Sequence, residues 1–278
     1  MADEKPLPLM VDGKPHYTLT SYDPVEIEVR VPAVTGDDLE FAIDAILEAE
    51  GASRERLSDA AWVKEHFNAS SPDEFYEMVT DYVKRTNNNL VEEEKLGTCL
   101  TALADRLCQR PLPEMLEECR AGLALTYQQR FAQTGVTREQ FIEQAGQTEE
   151  SFEEMVSMQA EITACQQAAL SAMASERKVQ VSEEEIPRYL GVDESQASEF
   201  LSRARAENQI DQLHEAAVRS KAASIVLAES SCTYHHETTE EAKERMATIL
   251  EIRDRFEEMS KKEASSGGDG EGEGLHLV

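Results

Sequence analysis

RPLPEMLEECRAGLALTYQQRFAQTGVTREQFIEQAGQTEESFEEM, residues 110–155, is the stretch whose punctuation decides the fold. Gln109-Arg110-Pro111 breaks the helix before it, because the residue preceding a proline is pushed out of the helical region. Pro113 then opens a new helix at a position where a missing N–H costs nothing. Leu112, Met115, Leu116, Cys119, Leu123, Tyr127 and Phe131 follow at three-to-four spacing, the mark of an amphipathic helix, and Thr134-Gly135 ends it. Thr137 with Gln140 is a capping-box pair that opens a short segment containing Phe141 and Ile142, closed at Ala145-Gly146. Thr148 begins another long helix, striped by Phe152, Met155, Val156, Ile162, Leu170 and Met173.

Helical signals continue in both directions. Upstream, Ser71-Pro72-Asp73-Glu74 combines an N-cap, a first-turn proline and a capping acid. The stripe Phe75, Val79, Tyr82, Thr86, Leu90, Leu96, Leu100, Leu103 and Leu107 predicts one helix to about Cys108. Downstream, Ser182 with Glu185 is a further capping box, and Pro187 just past its first turn predicts a kinked or shortened helix. Asp193 with Gln196 predicts a single helix carrying Phe200, Leu201, Ile210, Leu213, Val218, Ile225 and Leu227. Thr238 with Glu241 opens the last, with Met246, Ile249, Leu250, Phe256 and Met259.

Only the N-terminal part departs from this pattern. Three prolines and no periodicity make residues 1–15 a loose arm. HYTLTSY (16–22) and VEIEVRV (25–31) alternate with period two around Asp23-Pro24, which predicts a β-hairpin burying Val25, Ile27, Val29 and Val31. Asp37 with Glu40 opens a helix to cover that face with Leu39, Ile43, Ile46 and Leu47, and Gly51 stops it. From Ser265, SSGGDGEGEG reads as a flexible acidic tail.

Composition narrows the function. Across 278 residues, 27 Lys and Arg face 56 Asp and Glu, a net charge of −29. Such a surface repels nucleic-acid phosphate and anionic lipid. With 13 Gly and 9 Pro the chain has too few turn formers for a many-stranded β protein. Five cysteines (99, 108, 119, 165 and 232) form no C-x-x-C pair, so neither a disulfide framework nor a zinc knuckle is expected. No signal peptide and no run of about 18 apolar residues is found, and the expectation is a cytoplasmic protein without a membrane span. Phosphate-binding and hydrolase motifs are absent, so no cofactor and no catalytic residue is expected. Cys232, His235 and His236 cluster, but an exposed helix end explains them better than a metal.

The order of these signals resembles the C-terminal chaperone domain of bacterial trigger factor, over Leu57 to about Tyr234. The matching pieces are LSDAAWVKEHF (57–67), RPLPEMLEE (110–118), GVTREQFIEQAGQTEESFEEM (135–155) and ASERKVQVSEEEI (174–186). The resemblance implies a mainly α fold, an elongated multi-helix domain with helical arms, plus a small N-terminal hairpin-and-helix unit. The expected layout is a loose arm at 1–15, the hairpin and helix at 16–56, and the chaperone domain at 57–235. A C-terminal helix at 236–263 and the acidic tail at 264–278 complete it. VEIEVRVPAVTGDDLEFAIDAIL (25–47) is similar to the opening of that family's ribosome-binding domain, or to the last strands of its isomerase domain; both readings stand.

Two departures qualify the resemblance. The family's Gly-Phe-Arg-x-Gly-Lys docking loop is replaced by ASRERLSD, leaving Arg54 and Arg56 as the candidate ribosome contacts and making ribosome association doubtful. An FKBP-type barrel needs on the order of 80–100 residues and does not fit before residue 57, so no isomerase activity is expected. The function implied is ATP-independent holding of unfolded or nascent polypeptides, basic and apolar in character. The expected crevice is lined by Met115, Leu123, Tyr127, Phe131, Phe152, Met155, Met158 and Met173 and rimmed by acid, with methionine supplying an adaptable surface. An acidic helical adaptor for one folded partner is the rival reading, and a homodimer covering its own arms is compatible with both.

Overall fold

The structure, a computed structural model, describes residues 5–266, apart from the side chains at 144 and 255–266. Phe256, Met259 and the tail from 267 therefore lie outside the described part. In chain order the elements are β1 (Leu9–Val11), β2 (Lys14–His16), β3 (Glu26–Val31), α1 (Gly36–Ala49), α2 (Ala60–Phe67) and α3 (Pro72–Asp105). The arm helices follow as α4 (Pro113–Thr134), α5 (Arg138–Gln144) and α6 (Glu149–Glu176). Then come α7 (Ile186–Tyr189), α8 (Ala197–Ala206), α9 (Ile210–Glu229), β4 (Ser231–His236) and α10 (Thr239–Ser266). The fold is mainly α, as the sequence implies.

The chain divides into two compact units, each built from two separated segments. The first takes Met1–Glu28 with Lys95–Thr233, the second Val29–Glu94 with Tyr234–Val278. In the first, α6 packs against α4 and α9, and α7 packs against α8 and α9. Ala160, Ala164, Ala168, Ala169 and Ala172 of α6 are buried, and alanine is what lets neighbouring helices approach closely. A separate cluster of Val181, Ile186, Leu201 and Ala217 seals α7 to α9. Pro187 falls in the first turn of the very short α7, as its position required. The single helix expected over 193–229 is split instead. Asn208 adopts a left-handed conformation, φ +56°, and separates α8 from α9.

The β structure differs from the expectation in its pairing. The loose arm contains an antiparallel hairpin, β1 with β2, closed by Asp12-Gly13 at φ +50° and +77°. Asp-Gly with both φ positive suits a two-residue hairpin turn, whose backbone twist matches that of the flanking strands. The hairpin expected between 16–22 and 25–31 does not form. Residues 17–20 run instead beside the chain leaving α3: Thr20 N–H donates to the Arg106 carbonyl (2.8 Å) and Cys108 N–H to the Thr18 carbonyl (2.9 Å). Val25, just before β3, and Ile27 and Val29 within it are buried as the alternation implies, but Val31, expected on the same face, is only half-buried, and β3 pairs with β4. Ser231 N–H donates to the Val25 carbonyl and Glu237 N–H to the Val31 carbonyl, so both strands advance together and the pair is parallel. A parallel partner must come from far along the chain, which no local pattern announces.

In the second unit, Ile43, Leu47, Leu57, Val63, Phe75, Val79 and Val83 form the core, with Trp62 and Phe67 packed on it. α1 starts two residues earlier than expected: Thr35 and Asp38 make the capping box, not Asp37 and Glu40. Asp38 was drawn there by a second partner. Arg245 of α10 donates to Asp38 (Nη1 to Oδ1, 2.7 Å), to Glu237 (3.1 Å) and to the Ala33 carbonyl (3.0 Å). Glu237, itself buried, also accepts from Ala33 N–H (3.0 Å) and pairs with Arg30 (3.3 Å). Burial alone would push the Asp38 carboxyl up, but the hydrogen bonds from Arg245 and Thr35 outweigh it and hold it below the usual aspartate range.

That node makes a testable statement about stability. Arg245→Ala leaves the buried Asp38 without a cation and Glu237 with Arg30 alone, and removing one partner of a buried pair costs on the order of 3 kcal/mol. Urea unfolding should show that loss in the transition of the second unit. Because Asp38's folded pKa is depressed, its contribution is complete above the unfolded pKa and is lost as pH falls below about 4 toward the folded value. Asp38→Asn should accordingly flatten the acid limb of the stability–pH curve below about pH 4.

Candidate functional site

α4, α5 and α6 make an arm whose local geometry follows from its caps. Pro113 occupies the first turn of α4, Gly135 ends it at φ +69°, and Thr137 and Thr148 cap α5 and α6 through their side-chain oxygens. At the turn end, Ile142, Phe152 and Val156 are buried, with Leu123, Tyr127, Phe141 and Met155 packed around them. The rings interlock: Tyr127 meets Phe152 edge-on (centroids 5.3 Å, 70°), and Phe141 lies 5.4 Å from Phe131 and 6.0 Å from Phe152. Arg138 lies 5.1 Å above the Phe152 ring and pairs with Glu149 (2.5 Å) and with Glu153. Nearer the base, Cys119, Ala160 and Ala164 form a second cluster with Met115 and Leu116. Burial pushes the Cys119 and Cys165 thiols above the ordinary cysteine range, which keeps them as apolar packing groups.

Between α4 and α6 an open groove of roughly 580 Å³ is lined by Leu116, Arg120, Ser157 and Met158 and by Glu150, Glu153, Glu154 and Glu161. Arg120 is held in place by Glu117 (3.1 Å) and Ser157 (3.3 Å). Over residues 113–176 eleven Glu face three Arg, so the arm carries a net charge of −8. Three large apolar side chains stand in solvent on these helices: Met158 is 59% exposed, Leu125 54% and Ile162 48%.

The residues expected to line one crevice are distributed differently. Met158 alone of the eight lines the groove as an exposed group. Met115, Leu123, Tyr127, Phe131 and Met155 are half-buried, the first against the Cys119 cluster and the others in or beside the ring cluster. Phe152 and Met173, each 3% exposed, are core and not lining. The correction has a physical cause. α6 uses its alanines for close packing, so the aromatic and methionine residues in register with them turn inward, and Met158 and Ile162 face out. Leu116, part of the expected α4 stripe, was not among the expected lining, and Leu125 carries no signal in the stripe at all; alanine at 160, 164, 168 and 172 is the signal that marks the buried face.

Arg54 and Arg56 sit in a short 3-10 turn, where Arg54 pairs with Glu40 and Asp44 (2.6 Å to the latter), and Arg56 is exposed. Cys232, His235 and His236 lie on β4 and not at a helix end. His235 contacts Glu241 (3.0 Å). The Glu241 carboxyl is lowered to about 2, chiefly by the Thr238 backbone N–H and then by His235. Among the described residues no helix is long and apolar enough to cross a membrane.

The described residues thus form capped helices around an acid-rimmed groove, and the comparisons say which family they belong to. The family model for the bacterial trigger factor protein C-terminus matches residues 71–228, and the chain belongs to that family. The matched region is the chaperone part of trigger factor and not its isomerase domain. Among solved structures, the crystal structure of a hypothetical Mycoplasma protein aligns at a TM-score of 0.38 and 14% identity, covering 81% of this chain and 92% of that one. No curated protein matches the sequence significantly.

The burial pattern separates two kinds of arm variant. Phe152→Ala empties a buried ring site and should cost about 3–5 kcal/mol. Met158→Ser and Ile162→Ser remove exposed side chains and should stay within about 0.5 kcal/mol of the parent. Thermal melts followed by circular dichroism check both.

Proposed function

We propose that this chain is an ATP-independent chaperone that holds unfolded or nascent polypeptides along the groove between α4 and α6, favouring segments that are apolar and basic. The observation that carries the reading is the company Met158 keeps. An exposed, flexible thioether sits in a groove ringed by four glutamates, with Leu125 and Ile162 exposed on the same two helices. Isolated exposed apolar residues need no explanation, whereas several on one acidic arm make weak, sequence-tolerant contacts with apolar chain segments. The glutamates add attraction for lysine and arginine in the client and keep the uncomplexed arm soluble. Phe152 and Met173 support this surface from below. Membership of the trigger factor family favours the same reading.

The test uses a denatured basic client diluted into buffer with near-stoichiometric chaperone and no nucleotide. Aggregation, followed by light scattering, should be suppressed by the parent chain. The triple variant Leu125→Ser, Met158→Ser, Ile162→Ser should lose most of that suppression at unchanged melting temperature. Full protection by the triple variant would remove the arm from the proposal, and protection of no unfolded client at all would favour a dedicated adaptor.

Ribosome association is expected to be weak. Arg54 is occupied by Glu40 and Asp44, the docking loop is absent, and a net charge of −29 opposes contact with RNA. Sedimentation with ribosomes should vanish at physiological salt; a ribosome-bound fraction that persists there and is lost in Arg56→Glu would show that one exposed arginine suffices.

A further inference from the structure

The second unit carries a groove of its own, and its charge is opposite in sign to that of the arm groove. It runs along α3 and encloses roughly 690 Å³. Phe75 and Val79 are its buried floor, with Ile46 of α1 and Phe67 of α2 half-buried beside them. Met78 and Tyr82 stand exposed, at 44% and 54%. They lie four residues apart on α3 and Arg85 three further on, so an apolar pair and a cation share one helix face. Lys84 and Arg85 line the groove against one carboxylate, Asp81. Arg85 Nε donates to the Asp81 backbone carbonyl (3.3 Å), and neither cation forms an ion pair among the described residues. The arm groove sets four glutamates against one arginine.

We propose that this groove is a second client subsite, and that it takes apolar segments carrying aspartate or glutamate, the segments that the arm's glutamates repel. The inference rests on the chaperone reading above and extends it. An unfolded chain presents apolar stretches flanked by either sign of charge, and an acidic arm attracts only one kind. Here Phe67 and Phe75, with ring centroids 4.7 Å apart, and the adaptable thioether of Met78 supply apolar contact, while Lys84 and Arg85 supply partners for carboxylates beside it. The groove's own charge governs at contact range, because the Debye length at physiological salt is about 8 Å and more distant acid is largely screened. The same length scale disfavours nucleic acid, whose phosphates run on past two cations over a chain of net charge −29.

The experiment titrates two short peptides with the full chain and follows the anisotropy of an uncharged dye. Both carry the same leucines and phenylalanines, one interspersed with glutamates and the other with lysines. Lys84→Glu with Arg85→Glu, at two exposed positions, should weaken the acidic peptide roughly fivefold, the scale of two exposed ion pairs, at unchanged melting temperature and with the basic peptide unaffected. The arm variant Leu125→Ser, Met158→Ser, Ile162→Ser should do the reverse. An acidic peptide that does not bind, or that binds the charge-reversed variant equally well, overturns the proposal. The arm reading is judged by the basic peptide alone, so the two fail separately. Trp62, the single tryptophan, lies edge-on to Phe67 at 5.4 Å and reports on the groove. The acidic peptide should shift its emission with the midpoint seen by anisotropy; saturation without any shift would place that peptide elsewhere and overturn the assignment. A sedimentation coefficient that Lys84→Glu with Arg85→Glu alters in the absence of peptide would make the groove an interface between copies, and the proposal would fall.

Discussion

Alanine at every fourth position of α6, from Ala160 through Ala164 and Ala168 to Ala172, is the constraint on which the first unit depends. Four residues turn an α-helix through about 400°, so each step moves the row round by roughly 40°. Over three steps the buried face rotates by about 120°, which lets one helix pack α4 near its start and α9 further along. A row of leucines would hold those neighbours further apart. Because methyl groups fill the buried face, the large apolar residues have two fates. Phe152 and Val156, in the same row, close the ring cluster at the turn end, while Met158 and Ile162 fall outside it and meet water.

Local chemistry was the part of the fold most open to reading from sequence. The boxes at Thr137–Gln140, Ser182–Glu185 and Thr238–Glu241 form as their spacing implies, because a cap is settled within four residues. The error at α1 is instructive. Asp37–Glu40 and Thr35–Asp38 are both legal boxes, and the choice falls to Arg245, some 200 residues away, which needs the Asp38 carboxylate. Strand pairing failed for the same reason. The alternation of VEIEVRV fixed which residues of β3 are buried, but the identity of its partner SCTYHH is a long-range fact. That partner is polar and largely exposed, so it carries no hydrophobic pattern to find it by. Asp12-Gly13, by contrast, was a legible turn signal obscured by its prolines.

The candidate site was half legible. An acid-rimmed arm with apolar lining follows from the stripes and charge of α4 and α6, but periodicity cannot say which of two apolar rows on one helix is covered. Phe131 and Phe152 are expected in the crevice because the resemblance puts exposed apolar residues on those segments, yet a ring buried among other rings gains both area and edge-to-face contacts. The residues that remain exposed on α6, Met158 and Ile162, are those off the alanine row.

Charge completes the argument for leaving such residues exposed. An apolar patch at a protein surface normally invites self-association. Here the arm bears eleven glutamates against three arginines, so two copies approaching arm to arm bring like charges together before any apolar contact forms. On the proposed reading, an unfolded segment rich in lysine or arginine meets the opposite field instead. Under that proposal the same surface would separate a copy of itself from a basic client without any shape-specific contact. Added salt, which shortens the Debye length to about 3 Å at 1 M, weakens both halves of that discrimination together. Selectivity of the proposed kind resides in the sum of the charges rather than in any one of them, and so it does not require more than a single well-placed methionine in the groove.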